Sequence, residues 1–443
     1  ASTLARIFLA LAPAAALRNG LDLVPPMGWS NWESSGCDVS EDLIKRSADA
    51  LVAKGLADVG YKIVGIDDCW AELNRNASGH LVPTANFSSG MKSLGDYLHK
   101  RGFKFGIYSS AGVHCCQHTM PGSLGYEWID AQDFASWGVD FLKYDGCFME
   151  EFHETLQDAP RRFPFTPPPI LRYPIMQQAL NKTGRNISYL CNFPWKFWDL
   201  FKDPSAGGDW VGEFCNSWRT GGDAQPGFFS ALSYVDGSEK YTTAVPSRPG
   251  RWNHLDSLEI GNNVSFDASI IGGPARPADN GEGGMTQDQE RAVFSLYALV
   301  KSPLFIGADV LTLKGHSLET YLNKEVIAVN QDPLGARGRL VRPHGGADGG
   351  EVWAVDLSGG EGCIVLMNRQ QDQTQDIAVT WEEVGLAEKK NTEMNVRDLW
   401  LHRDLGSFSD GFTAKAVRPT SAVVLRVSPK VDMTSRRSWA SKI

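Results

Sequence analysis

Two aspartates stand where they could do paired acid–base chemistry. Asp145 closes the run Leu142-Lys143-Tyr144-Asp145, and Asp223 follows Cys215-Asn216-Ser217-Trp218-Arg219 across a Gly221-Gly222 bend. Lys143 lies two residues before Asp145, so on a strand both side chains leave the same face. A neighbouring ammonium favours an ionised carboxylate, which suits a nucleophile. A carboxyl on a glycine-supported loop can be aimed from a strand end and partly desolvated, which suits a proton donor. Two such carboxyls about 5 Å apart are what cleavage of a glycosidic bond with retention requires. Taken singly each aspartate is a weak signal, because barrel strands often end in aspartates that cap loops.

The elements that must hold these groups recur through the first three quarters of the chain. Apolar, β-rich runs ending in polar residues cover 27–32, 61–68, 104–109, 140–146, 187–192, 214–219, 252–256 and 303–309. Most intervals between them are long enough for a helix. Residues 41–55 place Leu43, Ala48, Leu51 and Val52 at helical spacing. Thr286-Gln287-Asp288-Gln289 reads as a capping box opening a helix through Leu299. Eight strands alternating with helices predict a (β/α)8 barrel, whose chemistry sits at the carboxyl ends of its strands. Those ends carry Asp67, Asp68, Asp145, Arg219 and Asp256.

Past Asn330-Gln331-Asp332-Pro333-Leu334-Gly335 the pattern changes to glycine-interrupted, short alternating runs at 351–357, 363–368, 376–380, 396–401 and 422–427. These predict a small antiparallel β-sandwich. The expected organisation is a leading segment 1–19, a catalytic barrel 20–335, a sandwich 336–430 and a tail 431–443. The stretch 160–169 is proline-rich and reads as an exposed extended loop.

Bulk properties narrow the class. At 443 residues, with 42% hydrophobic and 21% charged residues, the chain is globular. A net charge of −9 repels phosphate backbones and argues against a nucleic-acid partner. Fourteen tryptophans are in keeping with carbohydrate contacts, since aromatic faces pack on sugar rings. The leading segment has Arg6, a short apolar run and small residues, the pattern of a signal peptide. That run is far short of the roughly 20 residues a membrane span needs, and no other stretch could span one. Sequons at Asn76, Asn86, Asn181, Asn186 and Asn263 and an even count of eight cysteines agree with a secreted, vacuolar or lysosomal location. His114-Cys115-Cys116-Gln117-His118 fits zinc spacing poorly. Asp67-Asp68 has no third ligand indicated, so no metal and no other cofactor is expected.

The chain resembles the α-galactosidase/α-N-acetylgalactosaminidase group of family 27 glycoside hydrolases. The resemblance runs from about Leu23 to Pro429. It rests on PPMGWSNW (25–32), GIDDCW (65–70), GIYSSAG (106–112), WGVDFLKYDGC (137–147), FCNSWR (214–219), RWNHLD (251–256), SPLFIGAD (302–309) and NQDPLG (330–335). It implies the same barrel and sandwich, retention of configuration, and an α-galactoside as substrate. It also implies roles. The nucleophile falls on Asp145 and the acid/base on Asp223. Trp32 falls on the aromatic against the sugar, Asp67 and Asp68 on the pair holding the 4- and 6-hydroxyls, and Lys143 on the 3- and 4-hydroxyls. Tyr108 falls beside the nucleophile, Arg219 on the 2-hydroxyl, and Asp256 on a pocket carboxylate near the acid/base. The implied disulfides are Cys37–Cys69, Cys191–Cys215, and Cys147 with either Cys115 or Cys116, of which Cys116 is carried forward.

The chain also departs from the pattern. Cys191-Asn192-Phe193-Pro194-Trp195 replaces a usual Cys-Glu-Trp, and His254 stands where an aspartate is common. Asn192 and Trp195 occupy places that are small in relatives accepting an N-acetyl group, so a free 2-hydroxyl is expected. Two readings share the chemistry, an α-N-acetylgalactosaminidase and a β-L-arabinopyranosidase. A non-catalytic galactose-binding protein is the reading from a different class. The oligomeric state is not legible.

Overall fold

A computed structural model describes residues 19–149, 169–192, 210–239, 246–262, 284–345, 350–386 and 393–430. The leading segment to 18, the proline-rich stretch up to 168, Trp195, Asn263 and the tail from 431 lie outside the described residues. The chain divides into two compact units, one running to Met285 and including Ser302–Leu322, the other comprising Thr286–Lys301 and the chain from Asn323.

The first unit is built on eight parallel strands. They are β1 Met27–Ser30, β2 Ile63–Gly65, β3 Lys104–Ser110, β4 Val139–Asp145, β5 Ser188–Cys191, β6 Ser217–Arg219, β7 Trp252–His254 and β8 Leu304–Ile306. Each overlaps one of the eight expected runs. Neighbours in sequence are neighbours in the sheet from β1 to β7, and β1 also pairs with β8. Just past β7, Leu258 bridges Ile306 in parallel, with Leu258 N donating to Phe305 O (2.7 Å). That bridge closes the barrel. Ile63, Phe141, Leu190 and Phe305 cluster at its core, the layered filling expected of such an interior. Gly28 is demanded by close packing of β1 on β2, since a Cβ there would lie 2.6 Å from Ile63 O.

The helices lie between the strands. They are α1 Trp32–Ser35, α2 Glu41–Ala53, α3 Met91–Lys100, α4 Glu127–Trp137, α5 Pro169–Lys182 and α6 Phe228–Glu239. The expected helix over 41–55 is α2, started by Ser40, whose side chain accepts from Leu43 N (3.2 Å). The strands are shorter than the apolar runs that announced them. β2 stops at Gly65 and β7 at His254, and the polar ends of those runs bend away as loops.

The second unit begins with α7 Gln287–Leu299. Thr286 and Gln289 form the expected capping box, each side chain accepting from the other's backbone N–H. After α8 Gly315–Tyr321 of the first unit and α9 Lys324–Asn330 come eight antiparallel strands. They are β9 Arg339–Arg342, β10 Glu351–Leu357, β11 Glu361–Asn368, β12 Gln375–Thr380, β13 Glu393–Asp398, β14 Arg403–Ser409, β15 Gly411–Val417 and β16 Ser421–Pro429. Six form one sheet in the order β14-β13-β16-β11-β10-β9, and β12 pairs with β15 in a second. Their shared core includes Val352, Leu366, Ile377, Trp381, Met394 and Leu425.

Five of these strands match expected runs, while β9, β14 and β15 were not anticipated. β14 is largely exposed, so it carries no apolar alternation. The run expected at 396–401 lies earlier. Asp398 ends β13 by accepting from Trp400 N and Leu401 N (both 2.9 Å), which turns the chain.

The disulfides are Cys37–Cys69, Cys116–Cys147 and Cys191–Cys215, and Cys115 and Cys363 are buried thiols. The partner of Cys147, left open between two neighbours, is therefore Cys116.

Candidate active site

The alternation of a strand sorts β4 into two faces. Phe141, Lys143 and Asp145 turn inward together, and the first two line a cavity of ≈ 30 Å³ inside the barrel. Its apolar floor is Ile107, Phe141, Leu190 and Phe305, and its polar rim includes Asp67, Lys143, His254 and Asp256. The four residues at that rim come from the ends of β2, β4 and β7. Chain-distant groups meet because the barrel gathers its strand ends at one mouth.

Asp145 is held by two donors, Tyr108 Oη on Oδ2 (2.9 Å) and Gly146 N on Oδ1 (2.7 Å). Tyr108 comes from β3, where its strand neighbour across the ladder is Lys143. Its hydroxyl also lies 3.0 Å from Cys116 Sγ, so the Cys116–Cys147 bridge abuts the Asp145 carboxylate's own partner. Burial pushes the Asp145 carboxyl up to about 6, and Asp223 adds to that; Lys143 and the two donors pull the other way. The ammonium at Lys143 has a nearer partner than Asp145, for it donates to Asp67 Oδ2 at 2.7 Å. The sequence expectation that Lys143 serves Asp145 thus holds only as a field effect.

Asp67 and Asp68 sit just past β2 and are both buried. Asn31 Oδ1 accepts from Asp67 N (2.9 Å), which fixes the bend. Asp68 accepts from Cys69 N (2.7 Å) and Gln117 N (2.9 Å). Burial nevertheless raises its carboxyl to about 7, with Asp67 and Asp145 contributing. Trp32, at the start of α1 and directly after Asn31, is buried.

Arg219 ends β6 and is the hub of the opposite rim. Its Nη2 lies 2.8 Å from Asp256 Oδ2 and 3.2 Å from Asp223 Oδ1. Its Nε and Nη1 are buried and make no hydrogen bond with the described residues. Two desolvated nitrogens with three N–H donors left open in this way are costly unless something polar arrives to accept from them. Asp223 itself is half exposed, at 52% of its side chain. The loop that carries it is fixed by Ala224 N donating to Asp256 Oδ2 (2.7 Å), by Tyr234 Oη donating to Asp223 O, and by Arg219 donating to Gly222 O. Gly221 is required there, since a Cβ would lie 2.9 Å from the Tyr234 ring.

Asn192 follows β5, buried, its N–H on Tyr144 O (2.9 Å) and its carbonyl accepting from Tyr173 Oη (3.1 Å). The sugar-site residues read from the sequence thus stand at the strand ends of the barrel or in the segments directly after them, save Trp195, which is not described. Three contributors went unread. Asn31 aims Asp67, Tyr234 braces the Asp223 loop, and Glu33 is a half-buried acid beside the cluster. The Glu33 carboxyl is pushed up to about 8, first by burial, then by Asp256, with Lys143 opposing. Asn31 lies within the PPMGWSNW motif and Glu33 directly after it, so position in that motif was an available signal; nothing local marks Tyr234.

Among the described residues one group has metal-ligand spacing, Cys116, Asp145 and Cys147, but the two sulfurs are joined to each other. A disulfide offers no thiolate, so this set does not suit a metal ion.

Comparison with known proteins agrees with this geometry. The family model described as alpha galactosidase A matches residues 24–332, and that of the alpha galactosidase C-terminal beta sandwich domain matches 347–427. Alpha-galactosidase 2 of Arabidopsis thaliana is 42% identical over 87% of this chain and 85% of its own. The alpha-galactosidase of Coffea arabica is 43% identical over 87% and 89%. Among solved structures, alpha-galactosidase I from Mortierella vinacea is 32% identical with a TM-score of 0.74, covering 93% of this chain and 99% of that one. The Saccharomyces cerevisiae enzyme solved with raffinose is 30% identical with a TM-score of 0.76 over the same shares. On a match that spans most of both chains and both domains, the chain belongs to the α-galactosidase family of glycoside hydrolases.

Proposed function

We propose that the chain is a retaining α-galactosidase working by double displacement, with Asp145 as nucleophile and Asp223 as acid/base. The observation that carries the roles is the contrast between the two carboxyls on one mouth. Asp145 is enclosed, oriented by two donors and tied to a strand end. That rigidity suits attack on an anomeric carbon. Asp223 is half exposed on a braced loop, able to exchange its proton with water between the two steps. Attack by Asp145 forms a galactosyl-enzyme while Asp223 gives its proton to the leaving oxygen. Asp223 then takes a proton from water, which hydrolyses the intermediate with net retention.

The pocket's charges suit a polyol. Asp67 and Asp68 accept from hydroxyls, while Lys143 and Arg219 only donate. Arg219, with Nε and Nη1 open, is assigned to the 2-hydroxyl together with the Asn192 amide. The substrates are α-galactosyl saccharides of the kind the yeast neighbour holds, and the enzyme acts in the secretory pathway or beyond it. Among the described residues no helix is long and apolar enough to cross a membrane.

The test is turnover of aryl α-galactoside against aryl α-N-acetylgalactosaminide. The expected kcat/KM ratio favours the galactoside by at least about a hundredfold, roughly 2.7 kcal/mol in the transition state. Preference for the N-acetyl substrate would overturn the assignment.

A further inference from the structure

His254, the residue that departs from the family's aspartate, is buried at the end of β7 and lines the cavity below the site. Its Nδ1 lies 2.9 Å from Asp256 N. A backbone amide can only donate, so Nδ1 is an acceptor and the ring proton resides on Nε2. The His254 carbonyl accepts from Thr220 N (3.2 Å). Those two bonds reach both ends of one short loop. Thr220 opens the segment that carries Asp223, and Asp256 Oδ2, by accepting from Ala224 N (2.7 Å), closes it. Asp256 also holds a left-handed backbone, φ +80°. A non-glycine residue keeps that conformation only where its surroundings over-determine it. The imidazole supplies one of the determining contacts, and Arg219 supplies another at 2.8 Å.

We propose that His254 is a positioning residue for proton transfer: its neutral ring fixes the Asp256 turn, and through Asp256 and Arg219 it sets where the Asp223 carboxyl points. This deepens the acid/base reading of Asp223 and rests on it.

The surroundings explain why an imidazole can do this. Arg219 from β6 and Lys143 from β4 face it, the Phe305 ring of β8 lies 5.5 Å away, and Asp256 is on its own turn. Burial and the two cations push the ring's basicity well below its ordinary value, so the acceptor survives in mild acid. A carboxylate in the same place would also accept from Asp256 N. It would, however, add a negative charge beside Asp67 and Asp256 and compete with Asp223 for Arg219. The neutral ring accepts without drawing on the guanidinium.

Leaving-group dependence tests this, because a dinitrophenolate needs no proton to depart and a methoxide does. The measurement is kcat/KM on dinitrophenyl and methyl α-galactosides for His254→Leu, His254→Asn and Asp223→Ala, with melting temperatures. Asparagine presents an acceptor where Nδ1 stood; leucine presents none. Expected for His254→Leu is a loss of about tenfold or more on the methyl substrate and about threefold or less on the dinitrophenyl one, with His254→Asn restoring the methyl rate. Should the leucine variant not fold, His254→Ala carries the same comparison. Equal losses on both substrates would overturn the proposal, as would failure of His254→Asn to restore the rate in a protein that melts like wild type. Asp223→Ala separates the two readings. If it lacks leaving-group dependence, the acid/base assignment falls and the proposal with it. If it shows that dependence and His254→Leu does not, the proposal alone falls.

Discussion

The mouth of the barrel and the core of the sandwich use buried space in opposite ways. In the sandwich, Val352, Ile364, Leu366, Ile377, Val379, Met394 and Leu425 are almost wholly buried. Charge pairs such as Lys415–Asp376 and Lys430–Glu393 lie in solvent there, and Arg369–Glu351 is a largely buried exception. At the barrel mouth, Asp67, Asp68, Arg219, His254 and Asp256 are each buried, as completely as core residues. Apolar burial stabilises at about 25 cal/mol per Å². Burial of charge is costly unless each charge is paired and hydrogen-bonded. The mouth therefore spends stability to hold charges in fixed places, whereas the sandwich gathers it. Two features mark the difference: carboxyls displaced towards neutrality and open N–H donors on Arg219.

The sharpest way to break this contrast is to change the two proposed catalytic carboxyls. Asp145→Asn and Asp223→Asn should each lower turnover by about a thousandfold or more, while melting stays at or above the wild-type value. For Asp145 the second half follows because removing a desolvated charge relieves cost rather than adding it, and for Asp223 because a half-exposed charge contributes little to stability. Azide should rescue a small-residue variant at Asp145 with β-galactosyl azide as product, and one at Asp223 with α-galactosyl azide. Near wild-type turnover in either Asn variant would remove the assignment.

The sandwich should respond the other way. Leu366 is fully buried in β11, at the centre of its sheet. Leu366→Ala should lower stability by about 3 kcal/mol through lost transfer energy and a cavity. Denaturant unfolding measures that loss, and kcat per folded molecule should not change. A drop in kcat at constant folded fraction would show that the two regions are not separable.

A smaller effect concerns pH. Burial raises Asp68 and Glu127 to about 7 and Glu33 to about 8. Between roughly pH 4 and 8 the folded protein therefore keeps protons that the unfolded chain has released. The stability from these groups is fully present below about pH 4 and lost as pH rises through about 7 to 8. His254 acts oppositely, since its basicity is lowered, and offsets part of this below about pH 6.5. The melting temperature by calorimetry should thus be higher near pH 5 than near pH 8, and Glu33→Gln should flatten the slope. In the same range the acid limb of kcat/KM should fall near 6, where Asp145 ionises. A melting temperature that rises steadily from 5 to 8 would mean the mouth's carboxyls are ordinary.

Much of this molecule was legible in its residues. The eight apolar runs announced eight strands because inward- and outward-facing positions of a parallel barrel strand are both buried, and such runs stand out. Their polar ends placed Asp67, Asp145, Arg219 and Asp256 at the mouth before any coordinates did, and the capping box at Thr286 fixed a helix start through local hydrogen bonds alone. β14 and β15 were illegible for the opposite reason. Their partners across the sheet, not their own alternation, hold them extended.

What tertiary structure decided is who faces whom. The sequence put Lys143 two residues from Asp145; only the closed barrel brings Asp67 within 2.7 Å of the ammonium and makes it the direct partner. Sequence left Cys147 between Cys115 and Cys116; the turn of that loop presents Cys116. Tyr234 and the acceptor nitrogen of His254 carried no local mark, since what an enclosed phenol or imidazole does depends on the groups that other strands bring to it. Periodicity and capping act over a few residues and are written in the chain, whereas electrostatic partnership and desolvation arise between residues far apart in sequence and exist only once the barrel has closed.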